Sequence, residues 1–112
     1  MAQKVQLPVC RTDKDIENVI RKVISRCTSF KIGKTGETIE DRGSQPDYQD
    51  DYLYIGSLYA SESEELISML ENKFINMFIS HPKNDNIKGG EQSQNDTMAD
   101  DAESYHVYVV WR

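Results

Sequence analysis

The spacing of apolar residues changes several times along the chain, and each change predicts an element. Ile16, Val19, Ile20, Val23 and Ile24 recur at helical spacing. Thr12 precedes them with Asp15 three residues on, the arrangement of a capping box, so a first helix is expected over about 13–26. "SFKIGKT" is too short and too glycine-punctuated for a helix and predicts a strand at about 29–33, ending at Gly33. A short helix carrying Arg42 follows, stopped by Gly43, Ser44 and Pro46. "DYLYIGSLYA" alternates tyrosines with aliphatic residues and predicts a second strand over about 51–59.

Ser61 with Glu64 reads as another capping box, and Leu66, Ile67, Leu70, Phe74, Ile75 and Phe78 then form one stripe of a helix over about 62–79. Glu71 falls inside that stripe, four residues from Ile67 and from Ile75, where a carboxylate does not easily reach water. Residues 80–103 are polar, lack an apolar period and are expected to form a mobile loop. The closing run from Val107 to Trp111 is continuously apolar, as in a strand covered on both faces and therefore central in its sheet.

These elements amount to one α+β domain over residues 1–112, with a small three-stranded, mainly antiparallel sheet flanked by helices. No run approaches the roughly 20 apolar residues of a membrane helix. The start, "MAQKVQLPVC", lacks a signal-peptide core, so a soluble, cytoplasmic protein without membrane association is expected. Cys10 and Cys27 have neither zinc-site spacing nor the density of a disulfide scaffold, and reduced thiols are expected.

The formal charge of −6 argues against an unspecific polyanion binder, but the average conceals an asymmetry. Residues 1–34 carry +5 and residues 35–112 carry −11. Arg21, Lys22 and Arg26 gather on the polar side of the first helix, as a nucleic-acid-facing patch or an ordinary solvated surface.

Among motifs, "GKT" suggests a phosphate loop, but that loop needs a glycine five positions before Gly33, where Thr28 stands. His81 and His106 lie far apart in sequence and support neither a metal site nor a Cys/His nucleophile pair. Tyr52, Tyr54 and Tyr59 alternate along the second strand, for sheet packing or for stacking on bases. What remains is a set comprising Lys31, Gly33, Lys34, Arg42 and Glu71, with Asn84, Asn86, Gly89 and Gly90 in the following loop.

A strand ending in Ile-Gly-Lys-Thr, an arginine nine residues past the glycine, a second strand, and "LENKFI" on a helix together resemble the GIY-YIG nuclease family over roughly residues 29–90. The resemblance implies a metal-dependent endonuclease acting on DNA. Glu71 would hold a divalent ion such as Mg2+ or Mn2+, and Arg42 would clamp the scissile phosphate. Lys31 and Lys34 are further catalytic candidates, Lys31 to neutralise a phosphate or act as a base, or else as a plain strand-surface lysine, and Gly33 is a nucleic-acid-binding candidate with Arg21, Lys22 and Arg26.

The chain departs from the family where tyrosines are expected, since Lys31 occupies the second-motif position and a helix stands where the first-motif strand should be. The terminal strand repairs this if it fills the central slot of the sheet, as in a permuted relative. It would then bring Tyr105 or Tyr108 toward the site, with Tyr108 as the catalytic candidate. The alternative is a noncatalytic module on the same scaffold that binds nucleic acid or a protein partner.

Overall fold

The computed structural model describes residues 2–45, 51–86 and 104–112. Helix α1 spans Asp13–Ile24, and its capping box is formed as expected, with Thr12 accepting from Asp15 N and the Asp15 carboxylate from Thr12 N. Its C-cap is Ser25, so the helix stops short of position 26. Strand β2 runs over Phe30–Thr35, helix α2 over Ile39–Gly43, strand β3 over Tyr54–Ser61 and strand β4 over Tyr105–Trp111. Helix α3 spans Glu64–Phe78, and its N-cap is Ser63, which accepts from Leu66 N, rather than Ser61. Ser61 Oγ instead accepts from Ser63 N and shapes the turn into the helix.

Among the described residues, with β1 at Gln3–Lys4, the sheet is four-stranded and mixed, in the order β1-β3-β4-β2, where three mainly antiparallel strands were expected. The extra strand, β1 at Gln3–Lys4, runs parallel to β3. It has two polar residues and no alternation, so nothing local announces it. It forms through Gln3 N to Leu53 O and Val5 N to Ile55 O, both 2.8 Å. Strand β4 lies between β3 and β2 and pairs antiparallel with both, the central place that its unbroken apolar run requires.

Strand β2 does not end at Gly33 but continues to Thr35, with Gly33 opposite Tyr108. A Cβ on Gly33 would fall 2.4 Å from the Tyr108 hydroxyl, so glycine is what lets the tyrosine ring lie across the strand. The outer edge of β2 is closed by the segment after α3. Phe30 N donates to Lys83 O and Phe30 O accepts from Asp85 N, while Asn86 accepts from Ile32 N at 3.0 Å and donates to Ile32 O at 2.9 Å. The amide of Asn86 thus substitutes for a neighbouring strand. This part of the expected mobile loop is ordered; residues 87–103, including Gly89, Gly90 and the acidic run, lie outside the described residues.

Side chains divide between two layers. Phe30, Ile32, Val107 and Val109 point to one face and pack against Ile16, Val19, Ile20 and Val23 of α1 and Ile67, Leu70, Phe74 and Ile75 of α3. Tyr108 and Val110 point to the other face, with Ile55, Tyr52, Ala2 and Ile39 of α2. Cys10 and Cys27 are buried and form no disulfide, and burial is the first cause of the rise in both thiol pKa values. Among the described residues, no helix is long and apolar enough to cross a membrane.

Candidate functional site

On the α2 face, the residue that carries most of the geometry is Arg42. Thr38 caps α2 by accepting from Asp41 N, which places Arg42 in the last turn above the sheet. Its Nε donates to the Tyr108 hydroxyl at 3.0 Å, and its guanidinium carbon lies 5.8 Å from the centre of that ring. Its Nη1 donates to Gln45 Oε1, and Gln45 Nε2 donates in turn to both Glu37 oxygens, at 2.9 and 2.6 Å. The guanidinium is therefore oriented from two sides. Tyr108 is 0% exposed, so its hydroxyl does not face solvent.

The expected site residues separate by layer. Lys31 pairs with Val110, and Gly33 pairs with Tyr108, so both occupy positions on the Arg42 side of the sheet. Lys34 alternates to the other side, where its Nζ donates to Ser68 of α3 at 2.9 Å. Glu71 belongs to that second layer too, on the buried stripe of α3, and is 1% exposed. Burying a carboxylate is costly unless it is paired, and Glu71 does have an interaction partner within the fold. The clamp expected of Arg42 and the ligand expected of Glu71 thus reside in different layers.

A divalent ion at Glu71 fits poorly in this arrangement. Among the described residues, no group of three or more His, Cys, Asp or Glu gathers as a metal site would require. A magnesium ion retains several waters, and Glu71, at 1% exposure, is out of contact with solvent.

The basic residues expected on the first helix are likewise not one patch. Arg21 Nε donates to Glu17 at 2.9 Å and its guanidinium lies 5.2 Å from the Phe78 ring. Lys22 and Arg26 instead line a cleft of about 360 Å³ with Leu7, Pro8 and Trp111. Tyr54 lies against Trp111 with ring centres 5.6 Å apart and the rings tilted by 33°, and it stays exposed.

One group that sequence reasoning set aside lies on the Arg42 side of the sheet. His106 stands on the α2 face of β4, two positions before Tyr108, with Nδ1 2.9 Å from Ser57 Oγ on β3. Burial, then the charge of Lys4, pushes its pKa down, while Glu40 opposes them. Lys4 Nζ and Glu40 Oε1 form an ion pair at 2.7 Å across β1 and α2. The sequence placed His106 in a strand but gave no hint of Ser57, 49 residues away and brought near only by strand pairing. Compared with known proteins, the chain matches no family model, no curated protein and no solved structure.

Proposed function

We propose that the chain is a divergent GIY-YIG-like nuclease that acts on phosphodiester bonds of DNA, with Arg42 as the phosphate clamp. The observation that carries this reading is the 3.0 Å bond from Arg42 Nε to Tyr108, a tyrosine delivered by the C-terminal strand in the centre of the sheet. Phosphodiester hydrolysis builds negative charge on the phosphoryl oxygens, and a guanidinium held in one orientation stabilises that charge without reorganising. Arginine suits this through its planar, two-pronged donor geometry. Buried Tyr108 positions the clamp in this reading and does not touch substrate. Lys31, on the same side of the sheet, adds positive charge near the phosphate.

The test is cleavage of supercoiled and branched DNA with Mg2+ or Mn2+, comparing wild type with Arg42→Ala and Glu71→Gln. Removal of the clamp is expected to slow cleavage about 100- to 1000-fold. Equal rates for Arg42→Ala and wild type would exclude this role for Arg42. A change in metal dependence in Glu71→Gln would locate the ion there despite its burial.

A second reading, a noncatalytic binding module for nucleic acid or protein, is favoured by the burial of both Glu71 and Tyr108. It places the contact at the cleft of Lys22, Arg26 and Trp111. In that case, DNA is not cut with any metal, and retention on DNA weakens with salt and on replacing Lys22 and Arg26.

A further inference from the structure

Beside the clamp, strand pairing assembles two groups that no motif connects. His106 and Ser57 stand on adjacent strands, both half-buried, with the ring nitrogen Nδ1 and the hydroxyl oxygen 2.9 Å apart. His106 also lines a cleft of about 250 Å³ with Gly36, Glu37, Thr38 and Ser104. Glu37 belongs both to this cleft and to the chain of hydrogen bonds through Gln45 to Arg42. The cleft therefore shares a wall residue with the network that orients the clamp. Along β4, His106 and Tyr108 alternate onto one face, their Cα atoms about 7 Å apart, and Tyr108 bonds Arg42.

The geometry points to His106 as the proton acceptor of this site, with Nδ1 held by Ser57 and Nε2 taking the proton of the water that attacks the phosphodiester at Arg42. This rests on the nuclease reading above. The tautomer needed has Nδ1–H donating to Ser57 Oγ, which leaves the Nε2 lone pair available. As the water oxygen bonds to phosphorus, its proton passes to Nε2 and the bond from phosphorus to the leaving oxygen breaks. The leaving oxygen takes a proton from solvent, and the imidazolium returns one to solvent, so nothing is oxidised and no further reactant is required.

Among the described residues, the charged groups near the ring are Lys4 from β1 and Glu40 from α2, with Glu37 in the cleft wall. Ala60 of β3 and Thr35 of β2 flank it on the neighbouring strands. Burial and Lys4 together keep the imidazole neutral near neutral pH, the form that accepts a proton.

The experiment is the pH dependence of DNA cleavage by wild type, His106→Asn and Ser57→Ala, with an NMR titration of His106 in the wild type. Asparagine keeps a polar group where Nδ1 meets Ser57 but removes Nε2. His106→Asn is expected to lose about 100-fold or more of the rate, and to lose the acidic limb of the profile. Ser57→Ala keeps the limb and loses up to about tenfold. In the wild type, the limb follows the titration of His106, which tests the role even if His106→Asn does not fold. Cleavage by His106→Asn at the wild-type rate, or a limb that does not track His106, overturns the inference and leaves the nuclease reading intact. A wild type that cleaves nothing removes both.

Discussion

On the α1/α3 side of the sheet, packing is almost wholly apolar, with Phe30, Ile32, Val107 and Val109 against aliphatic and aromatic residues of two long helices. On the α2 side, a five-residue helix covers Tyr108, Val110 and Ile55, and polar contacts through Arg42, Gln45, Glu37, Lys4 and Glu40 complete the layer. The first arrangement is non-directional, so its stability scales with area removed from water. The second depends on a few directed contacts, each fixing an orientation, as a site acting on a charged ligand requires. The two layers share β4, whose alternate residues serve one and then the other.

That contrast has measurable consequences, the largest on the apolar side. Phe74→Ala should lower stability by about 3–5 kcal/mol in urea denaturation followed by circular dichroism, because Phe74 is fully buried in the larger cluster. A loss below about 1 kcal/mol would mean that this face does not carry the fold.

Gly33→Ala should cost about 1–3 kcal/mol, since its methyl would meet the Tyr108 hydroxyl and ring, and the ring is enclosed. Combined with Tyr108→Ala, the cost should be less than the sum of the two single changes. Strict additivity in that double-mutant cycle would show that the close approach is not what selects glycine.

A smaller effect is expected from Tyr108→Phe, which keeps the ring and removes the acceptor for Arg42 Nε: about 1.5 kcal/mol by denaturation. If Tyr108 only positions the clamp, the same variant should retain part of its cleavage activity. Complete loss with unchanged stability would instead give the hydroxyl a direct role.

The smallest effect concerns pH. His106 has its pKa below the ordinary 6.5 in the fold, so the unfolded chain binds a proton first as pH falls. Its contribution is fully present above about 6.5 and is lost as pH drops from there through the folded value. Melting temperature should decline over that range in wild type and decline less in His106→Asn. The lowered carboxyls of Asp15, Glu17 and Glu40 act with the same sign, but below their ordinary values of 3.8, 4.5 and 4.5, so the two windows are separable. Identical slopes for the two proteins near pH 6 would remove the His106 contribution.

The two faces also differ in how far they can be read from the sequence. Both long helices, the Thr12–Asp15 capping box and the central place of β4 follow from apolar spacing, since burial imposes the same period on the chain that packing uses. The stripe also marked Glu71 as buried, which it is. It could not assign Glu71 and Arg42 to opposite layers, because a helix period fixes which side faces a sheet and not which face of the sheet it meets.

Strand β1 was equally hidden: its two residues are polar, and only the backbone bonds to Leu53 and Ile55 make it a strand. Gly33 read as the end of β2 because glycine weakens strands locally, whereas a ring contributed from position 108 explains its presence inside one. Periodicity along the chain thus determined the helices, the class and the burial of each stripe, because those depend on residues a few positions apart. Tertiary structure decided the Arg42–Tyr108 bond and the His106–Ser57 pair, because hydrogen bonds between residues 66 and 49 positions apart exist only once strand register is set.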